Sequence, residues 1–179
     1  MADFRLETER LILRDWRAED VDDLLVVCSD PETMEFLGPT MDREGVAALI
    51  ADVQQRARHG HTFWAVERKE DGRVIGWTGV IRALVPQIED ELEIGWRIAR
   101  DCWRKGYAHE AAAATLAWIW VNRPGEPVVA ITAVGNARSR ALMEKLGMAH
   151  RPERDFVHPK LAADDPLAPH VVYSMHPPA

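Results

Sequence analysis

The feature that most constrains this chain is a strand, loop, helix and strand in succession between residues 91 and 134. In residues 91–98 (ELEIGWRI), Leu92, Ile94, Trp96 and Ile98 alternate with Glu91, Glu93, Gly95 and Arg97, the period of a strand with two unlike faces. Residues 99–105 form a loop that leads to Gly106, and residues 107–122 (YAHEAAAATLAWIWVN) read as a helix whose alanines allow close approach to a sheet. Pro124 and Pro127 end it. Residues 128–134 (VVAITAV) are then an unbroken apolar run, the pattern of a strand covered on both faces. Two such strands joined by a helix form a βαβ unit with parallel strands.

The remaining segments are arranged around this unit. Residues 10–14 (RLILR) read as a first strand, and residues 20–30 as a helix through Val21, Leu24, Leu25 and Cys28. Gly38-Pro39 breaks a loop at residues 34–40. A second helix spans residues 42–59 through Val46, Leu49, Ile50 and Val53, with Gly60 as its stop. Residues 62–68 and 74–81 form an antiparallel hairpin about the turn Lys69-Glu70-Asp71-Gly72. After the crossover, residues 137–146 form a short helix stopped by Gly147, and residues 150–155 and 171–176 form a closing hairpin around a proline-rich loop. The predicted fold is α/β with a mixed sheet: antiparallel N-terminal strands, one parallel crossover in the second half, and helices on both faces. A length of 179 residues fits one domain, residues 1–179.

With 22 Lys and Arg against 29 Asp and Glu, the net charge of −7 argues against a protein that grips nucleic-acid backbones. Cys28 and Cys102 are too few for a four-cysteine metal site or a disulfide framework, which points to reduced thiols in a cytoplasmic protein without a metal. No apolar run approaches the roughly 20 residues that cross a bilayer, so no membrane partner is expected.

Two segments are placed for chemistry. Trp103-Arg104-Lys105-Gly106-Tyr107-Ala108 lies where the crossover helix begins, and the unpaired N–H groups of a helix start, with the positive end of its dipole, suit a phosphate or pyrophosphate. The same residues also read as a loop that merely ends in glycine. Asn136 and Ser139 follow the second parallel strand, and by spacing alone they read equally well as a helix cap and a surface residue. If residue 104 needs a positive φ, an arginine there is strained. Trp16, Trp64, Trp77 and Trp118 are assigned to the core.

Together these segments resemble the GNAT superfamily of N-acetyltransferases. The family's Q/R-x-x-G-x-G/A pattern appears as Trp103 to Ala108, with Trp103 in place of Gln or Arg. Its later N-x-x-S and E-K-x-G-[FM] patterns are matched by Asn136, Ser139, Glu144, Lys145, Gly147 and Met148. Thr8-Glu9-Arg10-Leu11-Ile12-Leu13-Arg14 and Glu93-Ile94-Gly95-Trp96 are similar to the ribosomal-protein-alanine/serine acetyltransferase branch. The resemblance implies acetyl-CoA as cosubstrate. Trp96 and Ile98 would present backbone groups to its pantetheine arm, Arg104, Lys105, Gly106, Tyr107 and Ala108 would cradle its pyrophosphate, and Asn136 would hydrogen-bond near its reactive end.

It also implies direct attack by a primary amine, on a protein N-terminus or a small molecule. Attack requires a neutral amine, and Glu93, at the family's acidic position, is the candidate base; it also reads as a solvated carboxylate beside Glu89, Asp90 and Glu91. Many relatives protonate the leaving thiolate with a tyrosine. Met143 stands there instead, leaving Ser139 as the candidate acid. Residues 34–40, the second helix and residues 152–169 are expected to shape the acceptor site, with His158 and His170 near it. The alternative is a non-catalytic acyl-CoA-binding sensor or scaffold. Monomer and homodimer both stay open.

Overall fold

The structure, a computed structural model, describes residues 4–57 and 62–177. The expected end of the second helix at His59 and its stop at Gly60 lie outside the described residues. Nine strands join in one sheet: β1 (Arg5–Glu7), β2 (Leu11–Arg14), β3 (Phe63–Arg68), β4 (Val74–Arg82), β5 (Leu92–Ile98), β6 (Val128–Ala133), β7 (Ala149–His150), β8 (Phe156–Val157) and β9 (Pro169–Met175). Their order is β1-β2-β3-β4-β5-β6-β9-β7, with β8 also paired to β9. The helices are α1 (Val21–Ser29), α2 (Pro31–Met34), α3 (Arg43–Ala57), α4 (Tyr107–Asn122) and α5 (Ala137–Lys145). Among the described residues, no helix is long and apolar enough to cross a membrane.

The sheet is mixed, as the pattern predicts. Strands β1 to β5 pair antiparallel in succession, β6 lies parallel to β5, and β9 returns antiparallel to β6. The alternation in β5 sorts its side chains as expected. Leu92 and Ile94 are buried in one cluster with Ala112, Leu116 and Ile119 of α4, while Arg97 on the opposite face reaches Cys28 of α1, Nη1 to Sγ 3.1 Å. The small side chains of α4 bring the helix close to the strands, so residue 106 is delivered to the C-terminal end of β5.

Two features differ from the sequence reading. A short β1 precedes the expected first strand and extends the sheet edge. The closing hairpin forms, but a 3-10 turn at Pro152–Arg154 divides its outer strand into β7 and β8. A buried ion network ties β2 to α1 and β3. Arg14 donates from Nη1 and Nη2 to the two carboxylate oxygens of Asp20, each at 2.8 Å, and from Nε to Glu67 Oε2 at 2.6 Å. Asp20 Oδ2 also accepts from the Arg17 amide at 2.7 Å, so its lone pairs are well used in a site away from water.

The parallel pair is short. β5 and β6 are in register only at Leu92–Val128 and Glu93–Val129, although β5 continues to Ile98 and β6 to Ala133. Beyond that point the strands splay. Ala83 N–H donates to Glu91 C=O, and Ala99 N–H to Ile75 C=O, so the odd-numbered residues of β5 bond to β4. The even-numbered residues Ile94, Trp96 and Ile98 therefore turn their main-chain groups toward the gap left by β6.

Candidate active site

That gap opens into a cleft of about 820 Å³, within the range that holds a small molecule or cofactor. Its walls are β5, the first turn of α4, the β6–α5 junction and residues 32–37.

At one end lies the loop leading into α4. Trp103 anchors it through Nε1–H to the Ile98 carbonyl at 2.7 Å. The Ile98 carbonyl is engaged within the protein, which leaves its N–H, with the main-chain groups of Ile94 and Trp96, turned toward the gap. Arg104 has φ +60 and Gly106 φ +84, so the strained arginine foreseen at residue 104 is present. The Trp103 amide donates to Arg100 and the Glu110 amide to Gly106. Between them, the amides of residues 104–109 donate to no protein acceptor among the described residues. Successive free amides at a glycine-led helix start form an anion-binding concavity.

The loop is held from outside by Arg10. Its Nη1 donates to the Lys105 carbonyl at 2.9 Å, and its guanidinium lies 4.6 Å from the centre of the Tyr107 ring. Glu110, in the first turn of α4, accepts from Thr8 Oγ1 (2.6 Å), the Arg10 amide (2.8 Å) and Arg10 Nε (2.7 Å). Burial works to raise the Glu110 carboxyl, and the bonds from Thr8 and Arg10 more than offset it, holding the group below its usual range. The buried Tyr107 ring stays beneath Arg10. Gly106, Tyr107, Ala108 and Arg104 line the cleft, whereas Lys105 is exposed and outside its lining.

Glu93 stands in the cleft where the parallel pairing ends. Its carboxyl is raised to about 7 by burial alone, with no cation or hydrogen-bond donor to draw it back. Glu93 is half-buried, as is Glu91, but Glu91 pairs with Arg154 whereas Glu93 pairs with no cation among the described residues. Cys102, buried in the same wall, has its thiol raised by burial and does not offer a thiolate.

Asn136 caps α5. Its Oδ1 accepts from the Ser139 amide at 3.2 Å, and its Nδ2 donates to Thr132 Oγ1 at 2.9 Å. Asn136 lines the cleft, and with one bond at each end its amide keeps a second N–H and a second lone pair. Ser139 lines the cleft, and Met143 lines it from a fully buried position.

The two banks meet at the mouth. Arg138 of α5 pairs with Glu35 at 3.0 Å and stacks 4.3 Å over the Trp103 ring, and Arg100 pairs with Glu32 at 2.5 Å. Of the three segments expected to shape the acceptor site, only residues 34–40 contribute, through Phe36 and Leu37; α3 and residues 152–169 are absent from the lining. His158 and His170 pack against each other, ring centres 4.8 Å apart, beside β8 and outside the lining. Trp77, assigned to the core, lines the cleft with Phe63. The sequence reading missed Phe63, Arg10 and Arg138. For Arg10, its place in the Thr8–Arg14 motif was the available signal.

The sequence matches the acetyltransferase (GNAT) domain family over residues 10–149. It is 30% identical over 148 residues to the uncharacterized protein YkkB of Bacillus subtilis (strain 168), covering 80% of this chain and 84% of that one. The fold is similar to that of a GNAT-family acetyltransferase from Bacillus anthracis, with a TM-score of 0.81 at 20% identity, over 97% of this chain and 98% of that one. It is also similar to the microcin C7 self-immunity acetyltransferase MccE, solved in complex with acetyl-CoA and AMP, with a TM-score of 0.77 at 10% identity over 94% and 93% of the two chains. The chain belongs to the GNAT acetyltransferase family and is an acyltransferase.

Proposed function

We propose that the protein transfers an acetyl group from acetyl-CoA to a primary amine by direct attack. One observation carries this reading. A single cleft, opened where β5 and β6 part, has a row of free amides at the start of α4 and, at Glu93, a half-buried carboxylate paired with no cation among the described residues.

The fit to acetyl-CoA follows from those parts. The amides of residues 104–109 would hold the diphosphate, with Arg104 adding charge. The main chain of Trp96 would meet the pantetheine amides much as a missing strand would. When bound, acetyl-CoA supplies the acetyl group on a thioester whose sulfur leaves readily as a thiolate. Glu93 takes a proton from the amine nitrogen as its bond to the acetyl carbon forms. A carboxyl near 7 is about half ionised at neutral pH, so a good share of the protein carries the form that can take up the amine's proton. Ser139 is the proton donor toward the departing sulfur, a lesser task, since a thiol of pKa about 8.5 departs without much help.

Thr8 to Arg14 and Glu93 to Trp96 support placement beside the ribosomal-protein acetyltransferases. The test is calorimetry with coenzyme A followed by thiol release from acetyl-CoA over an amine panel. Binding and release are expected together. Absence of heat with coenzyme A would overturn the cofactor assignment, and binding with no release from any amine would overturn the transfer.

A further inference from the structure

The residues on Glu93's side of β5 indicate what kind of amine enters. Glu93 and Gly95 project from the same face, about 6.6 Å apart along the strand. Gly95 leaves its place to two rings. A Cβ built there would lie 3.1 Å from Phe63 Cε1 and 3.4 Å from Trp77 Cζ3, so both rings cover the strand one step from the carboxylate. Their centres are 4.3 Å apart at 32°, forming a continuous aromatic wall. From the other bank Phe36 reaches the β6–α5 turn, 3.4 Å from a Cβ built on Gly135.

Several of the polar groups nearby are engaged within the protein. Thr33 Oγ1 donates to Asp30 at 2.6 Å, and the cations at the mouth, Arg100 and Arg138, are paired with Glu32 and Glu35. We infer that the acceptor is a primary monoamine on an aromatic or otherwise apolar body, its nitrogen at Glu93 and its body against Phe63 and Trp77. An ammonium approaching Glu93 passes ring faces that attract it. A carboxylate beside the amine, as in a free amino acid, would bring a second negative charge against Glu93. The amide groups of a peptide N-terminus would lose water against rings that offer them no bonds. This inference rests on the acetyl-transfer reading above and names its substrate.

The experiment uses the whole protein, acetyl-CoA and a thiol-release assay with four acceptors: phenethylamine, phenylalanine, spermidine and a hexapeptide beginning with alanine. Phenethylamine is expected to exceed phenylalanine, which differs only by a carboxylate, by roughly 100-fold in kcat/KM. Trp77→Ala should lower kcat/KM for phenethylamine roughly tenfold without moving KM for acetyl-CoA, and Trp77→Phe, the gentler change for folding, should recover most of it. Phenylalanine, spermidine or the peptide equalling phenethylamine would overturn the inference and leave acetyl transfer standing. Losses at Trp77 that fall equally on all acceptors would overturn it as well. Coenzyme A binding without release in any arm would overturn both readings.

Discussion

Arg10 Nη1 donates to the carbonyl of Lys105 at 2.9 Å, joining residues 95 positions apart and fixing the loop whose amides face the cleft. Lys105 lies between two residues of positive φ, Arg104 and Gly106, so the loop has little intrinsic preference for its shape. The Arg10 charge is already matched by Glu110 at 2.7 Å, which makes it a positioning residue rather than a phosphate ligand.

Arg10→Ala should therefore raise KM for acetyl-CoA about tenfold while kcat changes less than twofold, the loss of one charge-assisted bond that aims the loop. Arg10→Lys should not rescue it, because an ammonium cannot serve Glu110 and Lys105 through one planar fork. Steady-state kinetics with acetyl-CoA varied will show this. An unchanged KM would make the contact merely structural.

Arg104 gives a prediction in which stability and affinity move in opposite directions. At φ +60 an arginine costs about 1 kcal/mol that glycine does not. Arg104→Gly should raise the melting temperature slightly, the relief being partly offset by the greater freedom of glycine in the unfolded chain. It should also weaken coenzyme A a few-fold and flatten the salt dependence of binding. Thermal denaturation and calorimetry at two salt concentrations separate the two effects.

What was legible in the sequence is what local pattern encodes. The alternation from Glu91 to Ile98, the apolar run after Pro127 and the glycine at 106 gave the crossover and the place of the loop with free amides, because each is set by neighbours in the chain. The cleft's aromatic wall was not legible. Phe63 and Trp77 alternate as core residues would, and only the absence of a side chain at Gly95, on the strand next to Trp77's and two places from Phe63's, turns them into a lining. The splay of β5 from β6 is equally non-local, since both strands continue after their pairing stops. His158 and His170 misled for the opposite reason: histidines in a long loop suggest a site, and here they pack against each other at a tilt beside β8.

The Arg14–Asp20 pair predicts a large stability effect. Both side chains are about 95% buried, and Asp20 also holds the Arg17 amide. Asp20→Ala leaves the guanidinium buried with only Glu67 to answer it and should cost about 3–5 kcal/mol in denaturant unfolding. An exposed pair such as Arg138–Glu35 should cost no more than about 1 kcal/mol when broken, which serves as the control.

Glu93 ties catalysis to stability with opposite signs. In the folded protein its carboxyl is raised from 4.5 to about 7, so the native state holds a proton that the unfolded chain gives up. Below pH 4.5 both states are protonated and burial carries no ionic penalty. Between 4.5 and 7 stability falls as pH rises, and above 7 the full penalty, up to about 3 kcal/mol, is present. Glu93→Gln removes the charge without changing the shape, so at pH 8 it should stabilise the fold, while at pH 4 its effect should vanish. As the proposed base, Glu93 acts only when ionised, so kcat/KM of the parent protein should rise with pH through about 7, and the variant should lose most of its activity along with that limb of the profile. The loss should be larger for an amine of high pKa than for an α-amino group, because the former depends more on a base. A variant that is less stable at pH 8 than its parent would show that Glu93 is solvated, and the assignment of the base would fail with it.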